Sequence, residues 1–242
     1  MNSKRLLALL QKEWREAFKN KMVVFGVAIL PVFFLGVSIF MMAQFGPDVD
    51  ELGQAVLLNN ALMYFLLLPM IIPLAIAVYA VVGEKEQHSL EPLLATPLTD
   101  IELFVGKALA SVLPALLITW VSFGAFLQVA VLFVPWSLIK AALTAPWLLS
   151  IFALSPLIAM FSVVVTMAIS SRTRDTRAAY QLSSFVMLPF IISLILYSIT
   201  HGALISVGFV VAEIGGGALL DVVVLWVGIR LFRREDILTH WR

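Results

Sequence analysis

Apolar residues in this chain fall in long unbroken runs and do not alternate with polar ones. The runs lie at about 22–45, 61–82, 108–134, 147–169, 179–200 and 212–232. A helix rises about 1.5 Å per residue, so about 20 apolar residues cross a hydrocarbon core about 30 Å thick. Backbone groups inside a bilayer must be satisfied internally, which leaves helices or closed barrels. These runs are too long and too uniform for barrel strands. The pattern predicts an all-α integral membrane protein with six transmembrane helices, organised as one permease-like domain over 1–242. Gly46-Pro47-Asp48, Gly83-Glu84-Lys85-Glu86, Pro135-Trp136, Ala145-Pro146-Trp147 and Ser171-Arg172-Thr173-Arg174 mark the breaks. The run from Val23 to Phe45 exceeds the about 7–15 apolar residues of a signal peptide, so it is expected to be an uncleaved first span.

Two stretches depart from this pattern. In residues 3–21, Leu6, Leu10, Trp14 and Phe18 recur every four positions, with Leu7 and Ala17 beside them. Lys12, Arg15, Glu16 and Lys19 fall on other faces. This predicts an amphipathic interfacial helix over 1–21, anchoring the chain beside the membrane. Residues 200–233 are too long for one span and too short for two, and Gly215-Gly216-Gly217 interrupts them. Two readings stay open: a re-entrant or outer-face segment over 201–211 that leads into the last span, or one long tilted helix with a glycine kink.

Composition agrees with the runs. Hydrophobic residues make up 62% and charged residues 13%, against about 45–50% and about 25% in soluble domains. The net charge of +1 matters less than where the charges sit. Lysine and arginine collect in cytoplasmic loops. Of the 16 such residues, only Lys140 falls on the other side of a six-span layout with both ends inside. The remainder lie before the first span, around 83–107, at Arg172, Arg174 and Arg177, and at the end of the chain. The expected location is a plasma membrane, with both termini cytoplasmic. No cysteine is present, so thiolate metal sites and disulfides are excluded. No nucleic-acid partner is expected.

The segment at 83–107 carries the most chemistry. Ser89 is a plausible N-cap, Glu91 suits the positive end of a helix, and Pro92 fits a first turn. Leu90, Leu93 and Leu94 then share one face, and Thr96-Pro97 ends the short helix. Thr99 and Glu102 form a capping box for the next helix. Burying each leucine is worth roughly 1.5–3 kcal/mol. They either pack against the rest of the chain or enter a groove on a partner. The surrounding Glu84, Glu86, Glu91, Asp100 and Glu102 argue against an anionic lipid surface.

This stretch, Gly83-Glu84-Lys85-Glu86 through Ser89-Leu90-Glu91-Pro92-Leu93-Leu94-Ala95-Thr96-Pro97-Leu98 to Gly106-Lys107, resembles the cytoplasmic loop of type-2 ABC exporter permeases. The basic N-terminal helix and the ending Leu231-Phe232-Arg233-Arg234-Glu235-Asp236-Ile237-Leu238 are similar too, and the six-span layout extends the likeness over nearly the whole chain. The resemblance implies a coupling helix that docks into a separate ATP-hydrolysing subunit through Leu90, Leu93 and Leu94, with Glu84, Glu86, Glu91, Pro92 and Pro97 around them. It also implies two permease chains, identical or related, and two ATPase chains that bind ATP and magnesium. The chain itself lacks a Walker A loop, because Gly106-Lys107 is followed by Ala108 and Ile stands at 101. It is expected to be a transport subunit and not an enzyme, with no cofactor of its own.

Two acids fall in or beside the last run, Glu213 and Asp221. They are eight positions apart and so roughly on one helical face. A charged carboxylate at mid-membrane costs about 2.5–3.5 kcal/mol. They either line a substrate or cation path, or sit at a wet interface and against a neighbouring helix. Gln181 and Gln128 are candidate pathway residues and, with Tyr180, candidate partners of Asp221. His88, His201 and His240 are isolated, so no metal site is expected. No Gly-x-Ser-x-Gly or His-Glu-x-x-His motif is present. The alternatives to an exporter permease are a stand-alone secondary transporter or membrane-assembly protein and, more remotely, an intramembrane enzyme.

Overall fold

The apolar runs fold as helices. The structure is a computed structural model that describes residues 3–45, 50–86, 99–133, 135–173, 175–201 and 205–231. Among these residues there is no strand. Helix α1 (Ser3–Ala17) precedes α2 (Lys21–Phe45). Helix α3 (Glu51–Val78) continues through a π-helical turn, Tyr79–Gly83, into the short α4 (Glu84–Glu86). Then follow α5 (Asp100–Ala130), α6 (Trp136–Ala142) and α7 (Ala145–Leu149), a second π turn at Ser150–Leu154, and α8 (Ser155–Arg172). Helix α9 (Thr176–Ser184) passes through a 3₁₀ turn, Phe185–Met187, into α10 (Leu188–His201), and α11 (Val207–Leu231) is last. Six stretches are long and apolar enough to cross a membrane: Val23–Gln44, Leu52–Glu86, Asp100–Ala130, Ala145–Arg172, Thr176–Tyr197 and Val207–Arg230.

Several boundaries lie outside the apolar runs. Asp50 caps α3 by accepting from the Gly53 amide at 2.9 Å, so the second span starts ahead of Asn59 and Asn60. Asn59 is buried and accepts a 3.0 Å hydrogen bond from the Trp147 indole. The capping box at Thr99 and Glu102 is present with both of its hydrogen bonds, so the third span starts at Asp100 and carries Lys107 inside it. Helix α11 runs unbroken through Gly215-Gly216-Gly217, where the sequence suggested an interruption. Glycine weakens a helix by about 0.5–1 kcal/mol relative to alanine, but a bilayer leaves backbone groups no partner outside the helix.

The second, third and fourth spans form the centre. The most apolar stretch of the second is 83% buried within the chain, against 17% for that of the sixth. Phe65 packs against Phe126 with ring centroids 5.1 Å apart, joining α3 to α5. Ser162 donates to the Met70 carbonyl at 2.7 Å, joining α8 to α3. The Trp120 indole donates to the Ile151 carbonyl, in the second π turn, at 3.0 Å. The first, fifth and sixth spans sit outside this core and expose large apolar side chains such as Phe25, Phe33, Ile195 and Trp226.

Helix α1 packs against α5. Its buried residues are Leu9, Leu10, Glu13 and Ala17, whereas Leu7 and Phe18 face outward. The Trp14 indole donates to the Ala110 carbonyl at 2.9 Å. The apolar stripe in the sequence is therefore divided between the bundle and the surroundings. Gly106 permits the close approach, since a Cβ there would lie 2.3 Å from Leu9 Cδ2.

Candidate functional site

Three consecutive residues at the end of the second span, Glu84, Lys85 and Glu86, fasten four other helices of the chain. Gly83 lies against the Tyr79 ring, where a Cβ would come within 2.8 Å of it. Glu84 is buried and forms ion pairs with Lys107 at 2.8 Å and with Lys12. Lys107 is fully buried, pairs with Glu13 at 2.9 Å and donates to the Ala80 carbonyl, in the first π turn, at 2.7 Å. Lys12 also reaches Glu13 at 3.2 Å and Glu16 at 3.0 Å. The cluster thus joins α1, α4 and the first turns of α5.

Lys85 points the other way. Its ammonium donates to the carbonyls of Ser170 (2.9 Å), Ser171 (2.6 Å) and Thr173 (3.1 Å). These lie at the C-terminal end of α8, where carbonyls lack helical partners and a cation is favoured. Glu86 is exposed and accepts from the Thr176 amide at 3.1 Å and from its hydroxyl. Asp175 caps the same helix by accepting from the amides of Arg177 (3.3 Å) and Ala178 (3.2 Å). Glu84, Lys85 and Glu86 therefore tie the root of the 87–98 segment to α1, α5, α8 and α9.

Opposite charges set the ionisation of the two groups on α1. Burial pushes the Glu13 carboxyl up, but Lys107 and Lys12 outweigh it and hold Glu13 below its ordinary value. Burial likewise lowers Lys12, and Glu13 and Glu84 more than reverse it, so Lys12 lies above its ordinary value. Both remain charged near neutrality.

The residues singled out in the sequence fall in different places. Leu90, Glu91, Pro92, Leu93, Leu94 and Pro97 lie outside the described residues, as does His88. Glu213 and Asp221 both sit on the side of α11 turned toward the bundle, but their surroundings differ. Glu213 is half-buried and lines a narrow gap of about 20 Å³, room for about one water, between α3, α8, α10 and α11. Asp221 is 6% exposed, and neither carboxylate oxygen has a hydrogen-bond partner among the described residues. Gln181 and Gln128 are exposed, and Tyr180 donates to the Ala75 carbonyl at 3.0 Å. The structure does not bring these three to Asp221.

Sequence reasoning did not find Lys12, Glu13 and Lys107 as one cluster. A signal for Glu13 is present, since it follows Leu6, Leu9 and Leu10 on the stripe that ends at Ala17. An acid inside an apolar stripe calls for a buried cation. Nothing local points to Lys107 as that cation.

No curated protein matches the chain. The sequence profile of a family described as "ABC-2 family transporter protein" matches residues 7–208, a span that takes in most of α1, the ionic cluster, the 87–98 segment and the first five membrane spans. The chain therefore belongs to the ABC-2 family of transporter proteins.

Proposed function

We propose that this chain is the permease subunit of an ATP-driven exporter, working with a separate ATPase that supplies ATP and magnesium chemistry. The observation that carries the reading is the rooting of the 87–98 segment at both ends. On one side, Glu84, Lys85 and Glu86 hold α1, α8 and α9. On the other side, Lys107 holds α1 and the first π turn. A partner pressing on the segment would move these elements together, because each buried charge resists separation from its counter-ion. In this reading Leu90, Leu93 and Leu94 make the coupling contacts, beside Glu91, Pro92 and Pro97. Glu84 and Glu86 act at the base of the segment by transmitting movement.

In this reading the loop and both termini face the cytoplasm of a cell whose plasma membrane holds the protein. Two ATPase subunits serve two permease chains. The exposed apolar faces of the first, fifth and sixth spans meet lipid and the second permease chain. Glu213 and Asp221 lie along the moving side of the pathway.

Affinity capture from native membranes in mild detergent tests the reading. An ATPase bearing a Walker motif is expected at one copy per copy of this chain. Leu93→Asp is expected to abolish that association while leaving membrane insertion intact. Purification without any ATPase, in a complex that still transports, would refute the reading. The unpaired carboxylate of Asp221 would then become the first candidate for ion coupling.

A further inference from the structure

The elbow between α1 and α2 carries two lysines that the rest of the chain leaves uncompensated. Lys12 and Lys107 are neutralised by Glu13, Glu16 and Glu84. Lys19 and Lys21 are exposed and take part in no ion pair among the described residues. Their backbone is nevertheless fixed. The Lys19 amide donates to the Glu16 carbonyl at 3.3 Å, and the Asn20 amide donates to the Ala17 carbonyl at 3.2 Å. Asn20 then starts α2: its carbonyl accepts from the Val24 amide at 3.0 Å and its side chain from the Val23 amide at 3.4 Å. Ala17 and Val23, on either side of the elbow, are buried in the bundle.

An open groove of about 510 Å³ has these two lysines and Phe18 at one end and continues along α2 past Phe25, Ile29 and Val32. Phe25 and Val32 are 67% and 68% exposed, so the described residues leave the groove uncovered. Helix α2 rises about 16 Å from Lys21 to Val32, close to half of a hydrocarbon core about 30 Å thick. The groove is therefore cationic at headgroup depth and apolar through one leaflet.

We propose that this groove binds one anionic phospholipid, with its phosphate on Lys19 and Lys21 and an acyl chain along Phe25, Ile29 and Val32. The inference stands apart from the ATPase reading above. The apolar wall accepts any lipid tail, and the lysines supply the choice of headgroup. A zwitterionic lipid brings its own cation, which competes with the lysines for the phosphate. A second copy of this chain fits the groove poorly. A twofold axis along the membrane normal sets equal residues at equal depth, so lysines would face lysines across such a contact. Glu16, the acid nearest to Lys19 in sequence, is already engaged with Lys12 at 3.0 Å.

The test uses the purified full chain in nanodiscs of dioleoyl phosphatidylcholine. A small fraction of the lipid is replaced by a probe carrying a diazirine on one acyl chain. The probe headgroup is phosphatidylglycerol in one arm and phosphatidylcholine in the other, and labelled positions are mapped by mass spectrometry after irradiation. A lysine beside an anionic headgroup contributes about fivefold in binding. The phosphatidylglycerol probe is therefore expected to label Phe25, Ile29 and Val32 at least about fivefold more than its counterpart. The double variant Lys19→Gln, Lys21→Gln is expected to erase this preference, and Lys19→Arg, Lys21→Arg to keep it. Both positions are exposed, so the variants are expected to fold. Equal labelling by the two probes, a preference that survives the glutamine variant, or label confined to outward residues of the fifth and sixth spans such as Ile195 and Trp226 would overturn the inference. A dimeric chain whose groove neither probe labels would assign the face to a second copy and overturn it as well. None of these results bears on capture of an ATPase, which tests the permease reading separately.

Discussion

Removing the ammonium of Lys107 is the sharpest perturbation of the cluster beneath the loop. Lys107→Met keeps an unbranched chain of similar length and takes away the charge. Glu13 and Glu84, each 4% exposed, would then lose the cation that lies 2.9 and 2.8 Å away. The Ala80 carbonyl would lose its 2.7 Å donor. Breaking a buried pair by removing one partner costs about 3–5 kcal/mol. Lys12 reduces that figure, because it stays beside both acids. Its side chain is 31% exposed, so water screens much of its effect, and about 3 kcal/mol is the expected loss. For a chain of this length each kcal/mol shifts the midpoint by roughly 2–4 °C, so the expected fall is roughly 6–12 °C.

The assay is thermal unfolding of the purified chain in one detergent, followed by intrinsic fluorescence. The triple variant Lys107→Met, Glu13→Gln, Glu84→Gln removes the orphaned charges as well and is expected to regain at least half of the loss. Such recovery separates electrostatics from packing, since replacing a whole buried ionic group is often neutral where removing one member is not. A Lys107→Met midpoint within about 1 °C of the parent, or a triple variant no better than the single one, would refute the account of the cluster.

Acid titration offers a second check on the same cluster. Glu13 is held below its ordinary value of 4.5, so its contribution is present above that pH and is lost as pH falls through the lower folded value. Lys12 lies above its ordinary 10.5, so its contribution is complete below that pH and is lost as pH rises through the higher folded value. The midpoint is therefore expected to lose stability below pH 4.5 more steeply in the parent than in Glu13→Gln, and equal acid limbs would count against the pairing. Glycines in α11 supply a third prediction, with opposite signs along one helix. A Cβ on Gly228 would lie 2.7 Å from Val164 Cγ1 and 3.2 Å from Phe104 Cζ. Gly228→Ala is thus expected to destabilise by about 1–3 kcal/mol through overpacking. Gly215 and Gly216 have nothing within 4 Å, so alanine there is expected to add about 0.5–1 kcal/mol each. Unfolding midpoints that move in the same direction for both sites would contradict the packing described for α11.

The parts of this fold that were legible in the sequence are those whose cause is local. The capping box at Thr99 and Glu102 spans three residues, and its two hydrogen bonds are where the spacing puts them. The six spans follow from the length of the apolar runs alone. Boundaries shifted where a polar residue had a distant partner. Asn59 looked like the end of an apolar run because its bond to Trp147 comes from 88 positions along the chain. The glycine triplet looked like a break because propensity was weighed without the bilayer, which removes every alternative partner for the helix backbone.

Charge was the most deceptive signal, for a physical reason. In a membrane protein a lysine is counted as a loop marker, since its free ammonium belongs in water. Lys107 meets that count and is nevertheless fully buried, because Glu13, 94 positions away, and Glu84 supply its counter-charge. The count still gave the correct number of spans, because the buried lysine lies near the same end of the bundle as Lys12 and Lys85. What it hid was the role. A solvated lysine at the root of a loop would leave that loop free to move by itself. A buried lysine paired with Glu13 and Glu84 fastens the start of α5 to the N-terminal helix and to the end of the second span. Substitutions at Lys107 or Glu13 are therefore expected to loosen α1 from the bundle, and faster amide hydrogen exchange along α1 would show it.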